Sequence, residues 1–110
     1  MPRYKLVVMT KPVEGREPEY NDWYQNVHLD DLVAIDGVKS AQRFRLNQAV
    51  SCETPPLPYL AIYDVETNDI DGVIKELNVR PQTGRMVVST ALSNEIFCAV
   101  YEEFGPLVKA

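Results

Sequence analysis

Residues 4–10 are short, apolar and rich in β-branched and aromatic side chains, the composition of a strand. Residues 11–16 contain Pro12 and Gly15 and read as a loop. Pro18 suits the first turn of a helix, and Glu17 and Glu19 beside it favour the positive end of the helix dipole. From Pro18 to about Ile35, Tyr20, Trp23, Tyr24, Val27, Asp31 and Ile35 recur at steps of three and four, which predicts a helix stopped by Gly37. Residues 38–46 alternate as a second strand. Val38, Ser40, Gln42, Phe44 and Leu46 are expected on one face, with Lys39, Ala41, Arg43 and Arg45 on the other. Residues 47–58 carry Pro55, Pro56 and Pro58 and form a loop. A third strand over 59–65 places Tyr59, Ala61, Tyr63 and Val65 on one face. Ile70, Val73, Ile74 and Leu77 predict a weaker helix over 68–78. Residues 80–89 make a long connection to a fourth strand over 95–101, and 102–110 form a tail.

The order β-α-β-β-α-β predicts an α+β, ferredoxin-like fold with a four-stranded antiparallel sheet. Two helices cover one face of such a sheet. Apolar residues on both strand faces imply that the other face meets something, most simply the same sheet of a second copy. That pairing gives a homodimer closed into a dimeric α+β barrel. With 110 residues, 45% hydrophobic and 25% charged, the chain reads as a single domain over 1–110.

Charge narrows the function classes. Eleven basic and sixteen acidic residues leave a net charge of −5, which repels phosphate backbones and anionic membrane surfaces. No nucleic-acid or membrane partner is expected, and no apolar run approaches the roughly 20 residues of a spanning helix. The N-terminal apolar run is too short for a secretory signal. Cys52 and Cys98 therefore read as free thiols in a reducing cytoplasm. The single His is far in sequence from both, so no metal-ligand spacing exists.

His28 is the only His, so any imidazole chemistry uses it. On a helix, Tyr24 four residues before it and Asp31 three after it reach the same side. Asp31 could then fix the ring tautomer and Tyr24 could polarise a carbonyl or enolate oxygen. The plainer alternative is a helix His satisfied by a carbonyl or by solvent. Trp23, adjacent to Tyr24, points elsewhere and reads first as core packing. Tyr4, Tyr59, Tyr63 and Tyr101, with Phe44, Leu46 and Phe97, could form one aromatic cavity for a small molecule, or an ordinary core or dimer interface. Arg43 and Arg45 could bind a carboxylate, although a solvated strand face paired with acidic residues is the simpler account. Cys98 is a weak nucleophile candidate and otherwise packing. No glycine-rich phosphate loop or Ser/His/Asp signature occurs.

The stretch Asn21-Asp22-Trp23-Tyr24-Gln25-Asn26-Val27-His28-Leu29-Asp30-Asp31-Leu32-Val33-Ala34-Ile35-Asp36-Gly37-Val38 resembles the signature helix of the EthD-like dimeric α+β barrel group. There a Trp and a second aromatic or His precede a His by four or five positions. Ala41-Gln42-Arg43-Phe44-Arg45-Leu46 resembles that family's second strand. Asp30 or Asp31 stands where the family usually has a Pro after the His, and Asp36 where it has one before Gly. The resemblance implies a homodimer and chemistry that needs no cofactor. It implies a lyase or isomerase, of cyclase, dehydratase or decarboxylase type, acting on a small cyclic or aromatic carbonyl compound. His28, Asp31 and Tyr24 would be catalytic, and Trp23, Tyr4, Phe44, Tyr59, Tyr63 and Cys98 would meet the substrate. The rivals are a cofactor-free monooxygenase of the antibiotic-biosynthesis type, a binding module without turnover, and a family member kept only for assembly.

Overall fold

The computed structural model describes all 110 residues. Four strands, β1 (Arg3–Thr10), β2 (Val38–Arg45), β3 (Tyr59–Glu66) and β4 (Phe97–Glu102), form one antiparallel sheet in the order β2-β3-β1-β4. This is the ferredoxin-like order that the element sequence predicts. The fourth strand begins two residues later than expected.

The long first helix is interrupted. It runs as α1 (Glu17–Trp23), a π-helical turn over Tyr24–His28, and α2 (Leu29–Val33). Pro18 lies in the first turn with Glu17 and Glu19, as the sequence predicts. Gly37 follows α2 with φ +99°, a conformation that only glycine adopts without strain. Its missing Cβ also leaves room for Val73 and Thr67. The second covering helix, α3 (Ile70–Val79), is capped by Asp69, whose carboxylate accepts from the Gly72 N–H at 3.0 Å.

One face of the sheet is dry. Leu6, Ala61, Tyr63 and Val65 pack under Tyr20, Leu29, Leu32, Ile35 and Val73, and Met86 and Ala91 of the last connection complete the core. Trp23 Nε1 donates to the Val87 carbonyl at 2.9 Å, tying that connection to α1.

The second strand departs from simple alternation. Val38 pairs with Val65, but Ser40 pairs with Asp64, the very next residue of β3, so Lys39 is a bulge. One extra residue reverses the phase of everything after it. Val38 is buried beneath the helices, yet Ser40, Gln42 and Phe44 turn to the opposite face. Ala41 and Arg43 turn towards the helices. The expected grouping of Val38 with Ser40, Gln42 and Phe44 is thereby corrected, and Leu46 lies beyond the strand.

The other face is uncovered. Val7, Met9, Leu60, Ile62, Phe44 and Phe97 make it apolar at one end, while Arg3 pairs with Glu66 and Lys5 with Asp64 at the other. Two cavities lie along it, one of ≈ 420 Å³ near Arg3, Lys39 and Glu103 and one of ≈ 310 Å³ over Val7, Phe44 and Ile62. Beyond β4, Phe104, Leu107 and Val108 are almost fully exposed. No helix is long and apolar enough to cross a membrane.

Candidate functional site

The π turn places His28. The Leu29 N–H bonds to the Tyr24 carbonyl, five residues back instead of four. The wider turn brings His28 over Trp23, also five residues back, with ring centroids 4.5 Å apart and planes 28° from parallel. Tyr24 meets the same imidazole edge-on at 4.9 Å. His28 therefore lies in a slot between two buried aromatics. Such single π turns recur at functional positions.

The expected partnership with Asp31 does not form. His28 Nδ1 is buried and has no hydrogen-bond partner. Asp31 lies in the first turn of α2, three residues on, while the imidazole is turned back along the helix onto Trp23 and Tyr24. Burial without a carboxylate pushes the His28 pKa down to about 4. The imidazole is then neutral at pH 7, with a lone pair free to accept a proton and a lower basicity than a free imidazole.

This has a consequence for stability. The unfolded chain binds a proton at His28 below about 6.5, whereas the folded chain does so only below about 4. Between those values the unfolded state holds more protons, so stability rises with pH across the window and falls as pH drops through it. The full displacement is worth about 3 kcal/mol. Denaturant unfolding at fixed chain concentration should show this slope between pH 4 and 6.5, and His28→Phe should flatten it. Asp64, held below its ordinary value by Lys5, adds its own loss only at still lower pH.

Beside His28, the sheet and α1 enclose a second group of side chains. Tyr20 and Tyr24 from the helix side and Tyr59 from β3 surround the Arg43 guanidinium, whose central carbon lies 5.5, 4.7 and 5.3 Å from the three ring centroids. Arg43 Nη2 donates to Asn21 Oδ1 at 2.7 Å. Asn21 Nδ2 donates to the Tyr59 hydroxyl at 3.2 Å, and that hydroxyl donates to Glu17 Oε2 at 2.5 Å. The Tyr20 hydroxyl shares a short hydrogen bond with Thr10. Tyr63 is fully buried beneath them, and its hydroxyl neighbours that of Tyr24 without a hydrogen bond of normal geometry. Burial pushes the Tyr24 phenol up to about 12, and those of Tyr20 and Tyr63 upward too, while Arg43 pulls on all three in the opposite sense. The phenols therefore stay protonated and serve as hydrogen-bond donors. No group of three or more His, Cys, Asp and Glu residues is placed to hold a metal ion.

The structure divides the residues that the sequence suggested as one cavity. Trp23, Tyr24, His28, Tyr59 and Tyr63 lie together on the helix side. Tyr4 shares that side but stands at the other end of β1, six residues and about 20 Å from Thr10. Phe44, Phe97 and Tyr101 point to the uncovered face, with the sheet between them and His28. Cys98 pairs with Val8 in the sheet and is an exposed free thiol, as is Cys52. Sequence reasoning missed Glu17, Tyr20 and Asn21 as members of the group, although with Tyr24 and His28 they run down one side of the helix at steps of one, three and four. It preferred a solvated strand face for Arg43 over its alternative, carboxylate binding. The bulge at Lys39 places the side chain among the tyrosines instead, half-buried and in no ion pair.

The architecture is shared with known structures of low sequence identity. A dabb-family protein with a ferredoxin-like fold from Mesorhizobium loti superposes with a TM-score of 0.64 at 12% identity, covering 96% of this chain and 100% of that one. A monooxygenase candidate from Shewanella loihica gives 0.62 at 14% identity, covering 96% and 99%. An ethyl tert-butyl ether D (EthD) family protein from Bacillus halodurans gives 0.54 at 13% identity, covering 94% and 100%. These similarities establish the ferredoxin-like fold. No family model and no curated protein matches the sequence.

Proposed function

We propose that this chain is a cofactor-independent enzyme of the EthD-like group, of lyase or isomerase class, that moves a proton on a small cyclic or aromatic carbonyl compound. The observation that carries this reading is the buried, unpartnered Nδ1 of His28, held between Trp23 and Tyr24. A neutral imidazole in that slot accepts a proton from carbon or oxygen of a bound substrate and returns it to the product. Tyr24, its phenol kept protonated by burial, donates to the oxygen on which negative charge develops. Trp23 backs the imidazole, and Tyr59, part-exposed beside Arg43, is the aromatic surface open to a substrate. Asp31 makes no contact with His28 in the free chain, so a role for it would require the substrate to bridge them.

The uncovered sheet face supports a homodimer. Its apolar end, with Val7, Phe44, Ile62 and Phe97, is left without cover in the single chain, and a second copy related by a two-fold axis would bury it. The exposed Phe104, Leu107 and Val108 would then lie along the partner. Phe44 would belong to this interface. Two free cysteines fit a reducing compartment such as the cytoplasm.

The test is a proton NMR titration of the His28 ring, alone and with small phenols and lactones. The free protein should titrate near pH 4, and a true ligand should move both the ring resonances and the midpoint. A midpoint near 6.5 that no compound moves would count against the enzyme reading. The Shewanella neighbour favours a second reading, a cofactor-free monooxygenase in which His28 deprotonates an electron-rich phenol. Oxygen uptake that depends on substrate would select it.

A further inference from the structure

Arg43 is a half-buried cation with no carboxylate partner. A guanidinium presents five N–H donors in a planar fork; Arg43 gives one to Asn21 and sets the fork beside the Tyr20 hydroxyl, which leaves donors to spare. The nearest acidic residue of the group, Glu17, is already engaged by the Tyr59 hydroxyl. The bulge at Lys39 turns Arg43 inward, although one face of the strand would have left it in solvent. A charge placed in an aromatic site and left unpaired is costly unless something neutralises it in use.

We infer that Arg43, its guanidinium set over the Tyr24 and Tyr59 rings, is the anchor for a carboxylate on the substrate. This rests on the reading of the helix side as the substrate site, and it names the substrate class: a planar aromatic or conjugated monocarboxylate. Three features select that class. The fork of Arg43 matches the two oxygens of a carboxylate. One guanidinium balances a single negative charge, whereas a phosphate monoester would bring nearly two beside Glu17. Of the three rings around the guanidinium, Tyr20 and Tyr24 are buried and Tyr59 is part-exposed, so a flat body attached to the anion meets the Tyr59 ring.

The experiment compares benzoate and cinnamate with benzamide and cinnamamide, by calorimetry and by the NMR shifts of the tyrosine and His28 rings. The wild-type protein should bind each acid at least tenfold more tightly than its amide. Arg43→Gln should lower acid affinity about tenfold or more and leave the amide unchanged, and Arg43→Lys should recover part of the loss. Equal affinity of acid and amide in the wild type would overturn the inference, as would an absence of binding by either acid at millimolar concentration. The wild-type comparison does not depend on any variant folding. The inference and the proton-transfer reading fail separately. If His28→Ala binds the acids normally and no acid is ever turned over, the carboxylate site stands and the enzyme reading falls. If turnover needs His28 but proceeds equally with neutral substrates, the reverse holds.

Discussion

Replacing His28 by Ala should lower turnover by about 10² to 10⁴-fold, the usual contribution of a positioned general base, while the chain remains folded. The imidazole stacks on Trp23 and touches Tyr24, but it makes no hydrogen bond whose loss would strand a partner. Removing it leaves a small gap against two aromatics that are themselves held elsewhere, Trp23 through its bond to Val87. Circular dichroism and size-exclusion chromatography should therefore match the wild type. The pH profile gives an independent signature. With the folded-state pKa lowered to about 4, the active neutral imidazole is present above that value. The acid limb of kcat/KM should lie near pH 4 and not near 6.5. Full activity in His28→Ala would exclude the proton-transfer role.

Tyr63 should separate stability from function. Its ring is fully enclosed in the core, so Tyr63→Ala should cost about 3–5 kcal/mol in urea unfolding, the usual range for deleting a large buried aromatic. Its hydroxyl has no partner, and a buried unsatisfied group costs about 1–3 kcal/mol. Tyr63→Phe removes that group and keeps the ring, so the variant should be as stable as the wild type or more so by about 1 kcal/mol. Turnover should nevertheless fall by about 10² if the hydroxyl orients the neighbouring Tyr24 hydroxyl towards the substrate's developing negative charge. Stability kept or raised while activity drops is the pattern of a residue retained for use. A destabilised Tyr63→Phe would show that the hydroxyl is satisfied in the protein itself.

The coarse fold was legible because it depends on element order and on which segments are apolar. The strand of β-branched residues at 4–10, the proline-led helix, the glycine at 37 and the proline-rich loop before Tyr59 each constrain the backbone locally, and six elements in this order have few ways to cover a four-stranded sheet. The aromatic helix with its His was likewise visible as a candidate site.

What the sequence could not determine was phase. Two single-residue insertions, the wide turn at Tyr24–His28 and the bulge at Lys39, decide where the chemistry lies. The first sets His28 over Trp23, five residues back; the second turns Arg43 from the open face into the tyrosine group. Neither leaves a mark in the pattern, because β2 carries small or apolar residues in both phases and the helix carries aromatics at both three- and five-residue spacing. Local propensities differ little between a regular and a bulged ladder. The choice is made by tertiary packing: burying Val38 and Ala41 together beneath the helices requires the extra residue, and Arg43 is carried inward with them.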